Sequence, residues 1–174
     1  MIPSFSKSCH GNVYAFEPVL ENYILAKLGV DRNKLSNVFL FNCGLGRQIG
    51  QALINTTRPG GEGHSGGGSR ISQSEGTYTP ILTIDSLGIE NVGIMQLDVE
   101  GFELPVLHGA VETLERCSPL LMLEDVRNEC PDFLIERNYV HIDKIPGLNI
   151  WSRPNFEQAA RDTVAAVRQS RNRP

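Results

Sequence analysis

At 174 residues the chain suits one domain of ordinary size with a proper core. Its 40% hydrophobic and 21% charged residues are those of a soluble globular protein, which excludes the disordered and membrane classes. A net charge of −4 and a pI near 5.6 exclude a general nucleic-acid binder, which carries a basic face.

The amino terminus, Met1 to Gly11, lacks the apolar core of a secretion signal, and no apolar run reaches transmembrane length. The reading is a cytoplasmic protein without a membrane partner. The Asn55-Thr56-Thr57 sequon then has no glycosylation context. Four cysteines (Cys9, Cys43, Cys117, Cys130) show no CxxC or zinc-like spacing with the four histidines. Reduced thiols are expected, and no metal site.

Asn12 to Phe16 reads as a strand that Glu17-Pro18 stops. Apolar residues at Leu20, Ile24, Leu25 and Leu28 predict a helix over Glu21 to Leu28, ended by Gly29. Val38 to Phe41 is a short buried strand, followed by the turn Asn42-Cys43-Gly44-Leu45-Gly46. A glycine-rich loop, Arg58 to Arg70, comes next. Its Gly66-Gly67-Gly68-Ser69-Arg70 lacks the lysine and spacing of a phosphate-binding loop.

Pro80 to Leu87 opens another ordered stretch, with Asp85 or Ser86 placed to cap a helical turn. Val92 to Leu97 reads as a strand. Val106, Leu107, Ala110, Val111 and Leu114 predict one amphipathic helix over Leu104 to Leu114. His108 inside it is read as packed or solvent-facing, not as a base. Leu120 to Leu123 is a buried strand ending in Glu124-Asp125, and Asp132 to Arg137 fits a helix. Tyr139 to Trp151, broken by Pro146-Gly147, reads as a closing hairpin.

Strands alternating with helices predict an α/β fold: a doubly wound, mostly parallel sheet with an antiparallel hairpin at its C-terminal edge. The expected division is a domain over 1–154 and a terminal helix or tail over 155–174. Phe156 to Arg171 is read as a solvated appendage with basic punctuation.

Chemistry is expected at Ile94-Met95-Gln96-Leu97-Asp98-Val99-Glu100-Gly101-Phe102-Glu103, where an apolar strand runs into three carboxylates. Strand alternation puts Asp98 and Glu100 on one side at the strand's carboxyl end, the ligand-binding end of an open parallel sheet. Carboxylates clustered there call for a cation, a donor-rich ligand or a proton to move.

Val13-Tyr14-Ala15-Phe16-Glu17-Pro18, Thr83-Ile84-Asp85-Ser86-Leu87 and Asp98-Val99-Glu100-Gly101-Phe102-Glu103 resemble the FkbM-type methyltransferases. Leu107-His108-Gly109-Ala110 and Leu120-Leu121-Met122-Leu123-Glu124 follow in the same order, so the likeness covers about Asn12 to Trp151. It implies the class I, Rossmann-like methyltransferase fold and S-adenosylmethionine as cofactor. It further implies that Glu17 accepts hydrogen bonds from the ribose hydroxyls, and that Asn42 and Cys43 meet the adenine. Asp98 is then the candidate base. Glu100 and Glu124 orient the acceptor or, alternatively, hold a divalent cation. Glu103 is read as starting the next helix, where a carboxylate complements the dipole.

The same resemblance implies a first strand, glycine-rich turn and helix before the strand bearing Glu17. Residues 1–11 are expected to supply none of them, which reads as an N-terminally truncated fold. Two central strand edges would then pair directly, be covered by a second copy in a homodimer, or meet a segment encoded upstream. Two functions are expected: O-methylation of a sugar or small polar metabolite, or a non-catalytic remnant serving as a binding or assembly module.

Overall fold

The computed structural model describes residues 2–8, 10–55, 70–72, 76–125 and 127–171. It divides into two compact units, Met1–Thr83 and Ile84–Pro174.

The first unit opens with α1 (Ile2–Ser8), where the sequence predicts no element. Asn37 ties this helix and its exit to the next elements: its Nδ2 donates to Ser6 O at 3.2 Å and Gly11 O at 2.9 Å. Then come β1 (Val13–Phe16), α2 (Leu20–Arg32) and β2 (Val38–Phe41). β1 and β2 are parallel, in register from Val13↔Val38 to Phe16↔Phe41, so the three elements form a βαβ unit. Tyr14 stacks on Phe39 and Phe16 on Phe41, with ring centroids 5.3 and 5.2 Å apart. Such cross-strand aromatic pairs stabilise a ladder beyond its backbone bonds.

Gly29 does not stop α2. A glycine inside a helix costs about 1 kcal/mol, and continuing past it buries Val30. The real stop is a Schellman arrangement: Leu35 N donates to Val30 O at 3.1 Å and Lys34 N to Asp31 O at 3.0 Å. Lys34 takes the left-handed conformation that this motif needs, with φ 54°. Leu20, Ile24, Leu25 and Leu28, whose spacing predicts the helix, are all exposed.

The unit's second sheet was largely illegible in sequence. It holds β3 (Gly44–Leu45), β4 (Gly50–Asn55), β5 (Arg70–Ser72) and β6 (Thr77–Leu82), in the order β3-β6-β4-β5. β3 runs parallel to β6, and the remaining pairs are antiparallel. The predicted turn after Asn42 therefore contains a strand. Gly44 leaves room there for Ile81, whose Cδ1 a Cβ at this position would meet at 2.7 Å and push aside. Of the predicted glycine-rich loop, residues 58–69 lie outside the described ones.

In the second unit a 3-10 turn (Asp85–Leu87) precedes β7 (Ile94–Leu97), α3 (Glu103–His108), α4 (Val111–Cys117) and β8 (Leu120–Leu123). α5 (Cys130–Ile135), β9 (Val140–Ile145), β10 (Leu148–Ser152) and α6 (Glu157–Arg171) complete it. The sheet order is β7-β8-β10-β9, with β7 and β8 parallel and β8-β10-β9 antiparallel. Val106, Leu107, Ala110, Leu114, Leu121, Leu123 and Leu134 are fully buried and form the centre of this unit.

The single helix predicted over Leu104 to Leu114 is two helices, broken at Gly109-Ala110. Asp85 is what starts the second. Its Oδ2 accepts from Glu112 N at 3.0 Å, and its Oδ1 from Thr113 N at 2.8 Å and Thr113 Oγ1 at 2.7 Å. The predicted cap thus acts on α4, 27 and 28 residues away, instead of on its own turn. The predicted hairpin is β9–β10. α6 is not a solvated appendage: Ala160 is buried with Ile142 and Ile150, and Val164 packs against them. Arg161 Nη1 also donates to Ile142 O at 2.8 Å.

The fold is mixed α/β, as predicted, but not mostly parallel. Among the described residues three strand pairs are parallel and four antiparallel. The difference comes from the sheet around β4, whose polar and proline-bearing strands lack the apolar runs by which buried parallel strands are read.

Candidate active site

In the second unit the parallel register pairs Leu97 with Leu123, and Glu124 N donates to Leu97 O at 2.9 Å. Asp98 and Glu124 therefore leave neighbouring strands side by side. Their carboxyl groups hydrogen-bond to each other, and Glu124 is pushed from an ordinary 4.5 up to about 7. That bond and the Asp98 charge are the main causes; burial, Glu100 and Glu103 add to them. Two carboxylates this close hold one proton between them instead of ionising together. Asp98 is exposed and Glu124 half-buried, so the pair meets solvent and ligands.

The strand ends at Leu97, so strand alternation sets the direction of neither Asp98 nor Glu100, yet the Glu100 charge is near enough to raise Glu124. Glu100 and Gly101 both take left-handed backbone conformations, with φ 54° and 86°. A non-glycine residue there is strained, and such strain gathers at functional sites. The chain then turns into α3, and Glu103 reaches back over the turn. Its Oε1 accepts from Val99 N and from Gly101 N, each at 3.2 Å, and the side chain is 1% exposed. Glu103 does begin α3, as predicted, but its carboxylate is spent on the loop.

Arg127 was missed in the sequence. A Cβ at Gly101 would lie 2.7 Å from Arg127 Nε and 3.1 Å from its Cζ, so the guanidinium stem rests on the glycine. Nothing in the sequence around Arg127 signals this. His108 is packed, its ring edge-on to Phe133 at 4.7 Å between centroids. Among the described residues no three His, Cys, Asp or Glu side chains are grouped to hold a metal ion.

Glu17, Asn42 and Cys43 belong to the first unit, and the fold brings them together where β1 and β2 end. Glu17 N donates to Phe41 O at 3.0 Å, and Asn42 Nδ2 donates to Glu17 O at 2.9 Å and Pro18 O at 3.3 Å. The Glu17 carboxylate bends over its own turn, where Oε1 accepts from Val19 N at 2.9 Å. Cys43 is buried, and burial pushes its thiol up, so it stays protonated. The Glu17 carboxylate and the Asn42 amide are both fixed and half-exposed, and of the two only the carboxylate is an acceptor for a pair of hydroxyls without any donor of its own.

The family model "Methyltransferase FkbM domain" matches residues 2–160. The chain belongs to the FkbM methyltransferase family. It is similar to a crystal structure of a methyltransferase FkbM from Methylobacillus flagellatus KT, with a TM-score of 0.61 and 16% identity. The likeness covers 87% of this chain and 39% of that one, so the chain spans about two fifths of its structural relative's length. No curated protein matches the chain.

For this FkbM-family chain, the carboxylates that the sequence singled out fall into a tied pair, Asp98 with Glu124, and a loop that carries Glu100. The three described cysteines, Cys43, Cys117 and Cys130, are free thiols. No helix among the described residues is long and apolar enough to cross a membrane.

Proposed function

We propose that this chain is an S-adenosylmethionine-dependent methyltransferase domain that acts on a hydroxyl of a sugar or another small polar metabolite. The observation that carries the proposal is the Asp98–Glu124 pair at adjoining parallel strand ends, in a chain of a methyltransferase family. The βαβ units β1–α2–β2 and β7–α3–α4–β8 support a doubly wound, Rossmann-like parent architecture.

Glu17 would hold the ribose hydroxyls. A carboxylate accepts from two neighbouring hydroxyls at once, and Val19 N fixes it for that task. Asn42 acts through Glu17, by holding the Glu17–Pro18 backbone, and Cys43 contributes a small apolar wall on the adenine side. When bound, the cofactor supplies an activated methyl group. Everything else falls to the carboxylates. Asp98, exposed beside Glu124, accepts the hydrogen bond of the acceptor hydroxyl and takes its proton; Glu124 and Glu100 orient the acceptor. Above about pH 7 the pair is ionised and ready as a base; below it one proton is already held. The net charge of −4 supports a neutral, hydroxyl-rich acceptor and no nucleic acid.

Calorimetric titration with S-adenosylhomocysteine tests the reading. The chain should take up the ligand, and Glu17→Ala should weaken uptake by about 1.5–3 kcal/mol, the scale of hydrogen bonds to a charged group. A folded chain that takes up none is instead a binding or assembly module.

A further inference from the structure

Among the described residues no other charged side chain is as buried as Glu103, at 1% exposure. A buried carboxylate is costly unless donors surround it. Here the donors are Val99 N and Gly101 N, the amides on either side of left-handed Glu100. One oxygen therefore clamps the tight turn that leads out of β7. The turn begins at Asp98, a member of the proton-sharing pair. A glutamate merely favouring the helix dipole would point into solvent; this one is withdrawn into the loop.

We infer that Glu103 is the positioning residue of the site: its carboxylate, buried under the Val99 and Gly101 amides, holds the 98–101 turn in shape and so presents Asp98 beside Glu124. The inference rests on the proposed function for its catalytic meaning, but not for its geometry. Removing the charge while keeping an acceptor oxygen separates the clamp from the charge.

The groups that face this position are known. Asp98 and Glu124 come from the strand ends and Glu100 from the turn; all but Glu124 itself, together with Glu103, raise Glu124. Arg127 rests on Gly101 from the other side. From α5 comes the buried Cys130 thiol, pushed up by burial first, then by Asp125 and Glu103.

Carboxyl-carbon NMR of isotope-labelled protein, followed across pH, tests the inference without any methyl acceptor. Glu103→Gln should leave the Val99 and Gly101 amide signals near their wild-type positions, because Gln also offers an oxygen. In the same variant the midpoint of the Glu124 titration should stay close to that of the wild type, because the Glu103 charge is the smallest of the causes that raise it. Glu103→Ala should shift both amide signals and, by releasing Asp98 from its place beside Glu124, lower that midpoint as well. Unmoved amides, or an unmoved Glu124 midpoint, in a folded Glu103→Ala overturns the inference. If the chain takes up no S-adenosylhomocysteine, the proposed function fails while this titration still decides the role of Glu103.

Discussion

Asp98 and Glu124 lie 26 residues apart in sequence, yet their carboxyl groups share a hydrogen bond, because Leu97 and Leu123 stand opposite each other in a parallel ladder. The ladder ends one residue before each carboxylate, so neither strand separates them. Parallel pairing delivers both side chains to the same end of the sheet, where a ligand has access.

The pair's chemistry is tested by Asp98→Asn. The amide keeps the shape and can donate to Glu124, which then returns toward an ordinary carboxylate value. Turnover should fall by about 10²–10⁴-fold, the usual contribution of a positioned base. Affinity for S-adenosylhomocysteine should change by no more than a few-fold, since the lost group acts on the chemical step. Single-turnover rates measured beside calorimetric affinities check this. Near wild-type turnover would move the base to Glu124 or Glu100.

Shared protonation also predicts a pH dependence of stability. Glu124 titrates at about 7 in the folded chain, against an ordinary 4.5. Between those values the folded state holds a proton that the unfolded state has lost. Stability from this group is therefore fully present below pH 4.5 and is lost as pH rises through about 7. In Glu124→Gln the side chain no longer titrates and its amide donates to Asp98, so this slope should disappear. Urea unfolding of both proteins at several pH values between 4.5 and 8 gives the comparison; an equal slope in the variant would show that other groups cause it.

Gly101→Ala probes the turn. With φ 86° the alanine pays the left-handed penalty of about 1–2 kcal/mol, and its Cβ must also displace Arg127 Nε, 2.7 Å away. Arg127 is exposed and can move, so the backbone cost should dominate. In an Arg127→Ala background the same substitution should cost less, but not nothing. Denaturant midpoints across this double-mutant cycle measure the split. A full recovery in the Arg127→Ala background would mean that the contact, not the backbone, makes glycine necessary.

Much of the architecture was legible in the chain because it follows from local pattern. β1, β2, β7 and β8 are short apolar runs bounded by Glu-Pro, Asn, Asp and Glu, the pattern by which strands of parallel pairs are read. Yet β1 and β2, the latter expected to be buried, hold no buried residue, and Phe39 is 45% exposed. β4 and β6 were not legible. Thr77 to Leu82 alternates in burial, but Thr79 is buried while Tyr78 is 71% exposed, so the alternation is not written in apolar residues. The break at Gly109 was equally hidden. Its signal is Asp85, a residue that caps across 27 positions, and no window of local sequence contains both.

The sequence by itself determined the family and the βαβ units, and it singled out Asp98, Glu100, Glu124 and Glu17 for the proposed site. These depend on residue type and short-range spacing, which every chain carries on its face. Only the tertiary structure decided what those residues do to one another. It set the register that lets Asp98 and Glu124 share a proton, and the left-handed turn that takes Glu100 off the strand's face. It also buried Glu103 under the Val99 and Gly101 amides and laid Arg127 on Gly101. The physical reason is distance along the chain. A carboxylate's protonation and a loop's shape depend on charges and donors within a few ångströms, and here several of those neighbours come from elements more than twenty residues away.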